Sequence, residues 1–333
     1  MDSLKNKNLS FDKISNILTL RYNPNNQSNL KKINWKDYLP KKTANSILIK
    51  NLLQKSLKKN LISKSNLSVA LSGGVDSTLL LSLTKEIFPD LPITAITITF
   101  PYSEDESKSA SNIAQNFDID HKIIHVDNFL KELPAAIGIL KEPYYDVMNW
   151  YYLVKNSKSI SNSLLTGDGA DEIFGGYTFR YSKFLNSIND NSSPIEKVKA
   201  YLQCHERDWV PDQENLFGNK SKFSWNQIND ILKPFFDNSL SSLDQLFLAD
   251  FNGKLKNNFI PNYEKFYNFF KISSISPFLE DSIIEEGLRI SPEEKYDSSK
   301  NIGKLPLRKL ISEHVSSLLF PKLKQGFAVN TSS

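Results

Sequence analysis

Between residues 67 and 166, short apolar runs rich in β-branched residues alternate with segments of helical periodicity, and this alternation restricts the fold more than any other feature. Residues 67–71, 93–100, 122–126 and 163–166 read as strands; 76–88, 106–117, 129–140 and 147–157 read as helices. In 76–88, Leu79, Leu80, Leu83 and Ile87 recur on one side. Strands separated by helices run the same way, so the expected fold is α/β: a parallel sheet with helices on both faces. A further helix is expected at 45–62, from Ile47, Leu48, Leu52, Leu53, Leu57 and Leu61.

Around this block the pattern changes. Residues 1–44 are polar, with one β-like run at 17–22, and read as a loosely structured N-terminal extension. Beyond Tyr177 helical periodicity and turn clusters dominate. The expected organisation is 1–44 as the extension, 45–185 as the α/β domain and 186–333 as a mainly helical region.

Composition excludes several classes. No run of about 18 apolar residues is present, so no membrane-spanning helix is expected. The Lys- and Asn-rich start lacks the apolar stretch of a secretory signal, and a cytoplasmic protein is expected. Lys and Arg number 41 against 37 Asp and Glu, and the lysines are scattered among asparagines, which is weak support for nucleic-acid binding. The single cysteine, Cys204, excludes an intramolecular disulfide and a Cys-rich zinc site. Its neighbour His205 points elsewhere on a helix, so no thiol dyad is expected.

Residues 67–78 read LSVALSGGVDST: a buried strand, a glycine turn and a helix start. Gly73 and Gly74 let backbone approach an anion, and the helix N-terminus offers amides and the positive end of its dipole. Ser72, Ser77 and Thr78 carry hydroxyls. Asp76 would repel bare phosphate and makes sense beside Mg²⁺. The run lacks the Gly-Lys-Ser/Thr of a Walker loop. It resembles instead the PP-loop of the ATP pyrophosphatase superfamily, which implies cleavage of ATP between the α and β phosphates and a grip on pyrophosphate.

Residues 163–177 read SLLTGDGADEIFGGY, a strand feeding an acidic loop. Asp168, Asp171 and Glu172 are costly so close together unless they share a cation. This run resembles the signature of the asparagine synthetase C-terminal domain and its relatives. The resemblance extends over 50–330, includes Glu142-Pro143-Tyr144, and continues in Lys304-Leu305-Pro306-Leu307-Arg308 and Lys324-Gln325-Gly326-Phe327. It implies that Asp76 and Asp171 hold Mg²⁺ against pyrophosphate, and that Asp168 lies beside the reacting carboxylate and the attacking nitrogen. It also implies that Lys304 reaches the phosphates, and that backbone at Ala70, Leu71, Ile98 and Gly167 meets adenosine. The activity it implies is ATP-dependent amide formation: a carboxylate, aspartate by default, is adenylated and then passed to ammonia or an amine.

Three departures bear on the substrate. Only 71 residues stand before the glycine turn, too few for the family's glutaminase domain, so ammonia is expected from solution or a separate glutaminase subunit, or another amine takes its place. The family's Glu-x-Arg is replaced by Ser273 and Ile275, ahead of Pro277-Phe278-Leu279-Glu280. The usual charged stretch is replaced by an aromatic one at 263–270, which could admit a larger substrate than aspartate. Two rival readings remain open on sequence: a PP-loop enzyme that modifies tRNA, and a non-catalytic nucleotide-binding subunit.

Overall fold

Five parallel strands form the sheet: β1 (Leu67–Ala70), β2 (Ile93–Thr99), β3 (Asp120–His125), β4 (Ser163–Leu165) and β5 (Ser273–Ile275), in the order β3-β2-β1-β4-β5. The structure is a computed structural model and describes residues 10–101, 106–143, 146–205, 214–215 and 222–312. Consecutive strand residues face opposite sides of a sheet. Leu67, Ser68 and Val69 are all buried, as are Leu164 and Leu165, so helices cover both faces at the centre. The edge strand β3 is more exposed, as its position requires.

The chain winds outward from β1 through β2 to β3, then returns to place β4 and β5 on the other side. The strand order therefore reverses between β1 and β4. At such a point the connections after the two strands diverge and leave a crevice at their C-terminal ends. Both motif loops start there.

The helix Val75–Ile87 follows β1 and is buried almost all round through Thr84. It packs against the helices Ser46–Leu61 and Leu305–Ser312. In Ser46–Leu61, Asn45 caps the N-terminus by accepting from the Leu48 amide at 3.0 Å. Its buried stripe is Ile49, Leu53, Leu57 and Leu61, while Ile47 stays exposed.

The chain divides into two compact units: Lys36–Phe179 with Asn262–Ser333, which holds the sheet, and Met1–Trp35 with Arg180–Pro261. In the second unit helices surround a buried polar centre. Asp250 Oδ1 accepts from Arg180 and from the Tyr201 hydroxyl, each at 3.0 Å. Asn252 exchanges two backbone hydrogen bonds with Ile33, both at 2.9 Å, and so ties the N-terminal arm to that unit. Burial pushes the Cys204 thiol up to about 12 and holds the His205 ring well below its usual range. Both are buried, and His205 is engaged with Tyr201 and Arg180.

Two local readings change. The β-like run at 17–22 belongs largely to a helix, Phe11–Leu20, capped by Ser10. Its buried residues are Ser15, Asn16, Thr19 and Leu20, while Phe11, Ile14 and Leu18, apolar at helical spacing, are only partly buried or exposed, so its apolar period does not mark its inward face. The strand β5 lies where no strand rhythm is visible. It is three residues long, and pairing with β4 defines it. Among the described residues, no helix is long and apolar enough to cross a membrane.

Candidate active site

The glycine turn after β1 is drawn tight by its own side chains. Leu71 remains in register, its amide donating to Ile96 O at 3.0 Å and its carbonyl accepting from the Thr97 hydroxyl at 2.6 Å. Gly73 takes a positive φ of 74°, and a side chain there would strike Ser109 on the helix Ser107–Asn116. Ser72 Oγ accepts from the Gly74 amide at 3.3 Å and lies 3.4 Å from Ser77 Oγ. The Thr78 hydroxyl is buried and donates to Gly74 O at 2.7 Å, so it is spent within the turn. Gly74 begins the helix Val75–Ile87 without a side-chain cap. Its first amides therefore receive no side-chain cap from Gly74.

The loop after β4 comes down onto this turn. A side chain at Gly167 would meet Asp76 Cβ at 3.0 Å, so the two loops touch there. Ala70 and Ile98 stand at the C-terminal ends of β1 and β2, each partly exposed.

The three carboxylates of the acidic loop have different partners. Asp171 faces Lys304, Glu172 accepts from the Tyr177 hydroxyl at 2.6 Å, and Asp168 accepts from the Thr166 hydroxyl at 2.8 Å. The ion that joins the two motifs is a lysine. Lys304 Nζ lies 2.6 Å from Asp171 Oδ1 and also pairs with Asp76 Oδ2. Its side chain is 5% exposed. Burial alone would lower its pKa; the charges of Asp171 and Asp76 outweigh burial and raise it. Gly176 leaves room for the pair, because a side chain there would collide with Asp171 Oδ1 and Lys304 Cε. Arg308, from the same run, donates through Nε to Gly303 O at 2.9 Å and steadies the turn before Lys304.

Asp168 sits in different surroundings. Withdrawal from water pushes its carboxyl up to about 7, although hydrogen bonds from Thr166 and Ser276 pull the other way. Ser276, just past β5, lies 2.8 Å from the Thr166 hydroxyl. Tyr263 and Tyr267 stand close enough to Asp168 for its charge to raise their hydroxyl pKa values further, beyond the effect of burial. Trp150 stacks on Tyr263 with centroids 4.3 Å apart and donates from Nε1 to Tyr267 Oη at 2.9 Å. Two residues of the aromatic run at 263–270, Tyr263 and Tyr267, thus stand near the acid expected at the reacting carboxylate.

Sequence reasoning missed Thr166, Ser276 and Trp150 as parts of this site, and nothing in the pattern marked Trp150 or Ser276. Tyr144 and the run 324–327, both part of the family resemblance, lie outside the described residues.

The sequence model of the asparagine synthase family matches residues 48–333. Asparagine synthetase [glutamine-hydrolyzing] 1 of Bacillus subtilis (strain 168) is 23% identical over 289 residues, covering 78% of this chain and 45% of its own length. The probable asparagine synthetase [glutamine-hydrolyzing] of Schizosaccharomyces pombe is 26% identical over 313 residues, covering 86% of this chain and 46% of its own. The chain thus spans less than half the length of these relatives. Among solved structures, NMN synthetase from Francisella tularensis aligns with a TM-score of 0.32 at 17% identity, covering 66% of this chain and 99% of that one.

Two outcomes follow from the geometry. Gly73→Ala should destabilise the chain by roughly 1–3 kcal/mol, from the positive φ and the clash with Ser109; a urea melt at wild-type stability would contradict this. The folded-state carboxyl of Asp168 lies above its unfolded value, so its cost to stability is absent below about pH 4, grows as pH rises, and is complete above about 7. Asp168→Asn should therefore stabilise by on the order of 4 kcal/mol at pH 8 and leave stability nearly unchanged at pH 4. Thermal melts at the two pH values measure the difference.

Proposed function

The chain belongs to the asparagine synthase family, and from that premise we propose that it is an ATP-dependent ligase that forms an amide bond through an acyl-adenylate. A substrate carboxylate oxygen attacks the α phosphorus of ATP, the bond to the β-phosphate oxygen breaks, and pyrophosphate leaves. Ammonia or an amine then adds to the acyl carbon, and AMP leaves as the amide forms. The observation that supports this best is the meeting of Asp76, Asp171 and Lys304 beside an uncapped helix start, at the point where the strand order reverses.

Asp76 and Asp171 are the residues that would hold Mg²⁺. They fit it: Asp76 Oδ1 is buried with no hydrogen-bond partner among the described residues, and Mg²⁺ in nucleotide sites takes one or two carboxylates, with phosphate oxygens and water completing its shell. When bound, the ion spreads the charge on the departing pyrophosphate. The chain's own residues do the rest. The first amides of the helix Val75–Ile87, the Ser77 hydroxyl and the Lys304 ammonium meet the phosphate charge. Ala70, Leu71, Ile98 and Gly167 border the place for adenosine.

Asp168 takes the proton released by the attacking nitrogen. A carboxyl held at about 7 can accept that proton near neutral pH and give it up again. The family default for the substrate is aspartate. The rings of Trp150, Tyr263 and Tyr267 beside Asp168 favour a carboxylate with more apolar surface. The nitrogen arrives as ammonia or an amine, with a separate glutaminase subunit as one source and the cytoplasm as the setting.

ATP–pyrophosphate exchange, run over aspartate, glutamate and larger apolar or aromatic carboxylic acids, isolates the first half-reaction. At least one acid should support exchange, and Lys304→Ala should lower its kcat by roughly 10²–10³; silence across the whole panel would falsify the ligase reading. The two halves should also part with pH. Amide formation, corrected for the unprotonated fraction of the amine, should decline as pH falls through about 7, while exchange should not follow the same curve. Parallel profiles would remove Asp168 as the base.

A further inference from the structure

Lys304 and a divalent cation make the same demand on the same oxygens. The ammonium bridges Asp76 Oδ2 and Asp171 Oδ1 from a nearly buried position. The arrangement is built into the backbone. Lys304 holds a positive φ of 58°, and its amide donates at 3.2 Å to the carbonyl of Phe174, the last residue of the short helix Ala170–Phe174 that carries Asp171 and Glu172. Gly176 is bare where any side chain would separate the pair. One ammonium between two carboxylates leaves a single negative charge in excess. A dication added to this group would reverse that excess and set two cations against shared oxygens, and their repulsion is strong where water is scarce.

We propose that Lys304 is the exchangeable counter-ion of the Asp76–Asp171 pair, so that the protein takes up a divalent cation only together with a nucleotide. The phosphates draw the ammonium off the carboxylates, and the carboxylates are then free for the metal. This rests on the ATP-dependent reading above. It gives Lys304 two stations, one on the carboxylates and one on the phosphates, and it makes metal and nucleotide binding mutually reinforcing.

The probe is Mn²⁺, whose free form is counted by electron paramagnetic resonance, on the full chain at pH 8. Without nucleotide, Lys304→Met should bind Mn²⁺ at least about tenfold more tightly than wild type, because the competing cation is gone. The double variant Asp76→Asn/Lys304→Met should lose that gain. Calorimetry with α,β-methylene-ATP should show tighter binding to wild type with Mn²⁺ than with chelator, and weaker metal-free binding to Lys304→Met. A folded Lys304→Met with unchanged Mn²⁺ affinity, or a double variant that keeps the gain, overturns the proposal. If Lys304→Met does not fold, the wild type alone decides. One Mn²⁺ bound without nucleotide, at concentrations that saturate the ternary complex, overturns the exchange; its absence there supports it. Wild type that binds no nucleotide even with Mn²⁺ defeats the ligase reading itself, which separates the two failures.

Discussion

A single buried ammonium holds the candidate site together. Lys304 reaches Asp76 at the start of one helix and Asp171 in the short helix Ala170–Phe174, and the three residues come from well-separated parts of the chain. Two carboxylates brought this close in a site short of water repel one another and lose hydration. A protonated lysine relieves both costs. Its pKa, in turn, is raised by the two carboxylates against the burial that acts to lower it. The loops after β1 and β4 are thereby locked at the sheet edge where their strands diverge.

Asp168 shows how one short acidic motif yields unlike groups. Asp171, three residues away, is paired with a cation. Asp168 is set among Thr166, Ser276, Tyr263 and Tyr267, where hydroxyl hydrogen bonds do not offset the loss of water. The same residue type is then suited to charge pairing at one position and to proton transfer at the other. Local surroundings assign the roles, and those surroundings arrive from β5 and from the helix Ile260–Phe270.

Much of the fold was legible because its signals are local. β1 to β4 and the helices between them follow hydrophobic period and strand length, and their parallel pairing follows from the connections. Ser72–Gly74 and Asp76 stood out in the sequence by residue type, and Asp168, Asp171 and Lys304 through the family resemblance; the structure brings Asp76, Asp171 and Lys304 together. Illegible was β5, whose Ser273–Ile275 carries almost no apolar signal, and the helix Phe11–Leu20 was obscured because the residues it buries, Ser15, Asn16 and Thr19, are not its apolar ones. Such elements are defined by their neighbours, since a polar face is buried only where partners exist for it.

The amino-acid order alone determined a parallel α/β sheet with a glycine turn between its first strand and the helix that follows, because strand period, helix period and backbone freedom are properties of short segments. Only the tertiary structure decided that Lys304 bridges Asp76 and Asp171, that Asp168 is the carboxyl raised by burial, and that Trp150, Tyr263 and Tyr267 stand beside it. Charge pairing and loss of water depend on distance in space, and for residues this far apart in the chain that distance exists only once the sheet has formed.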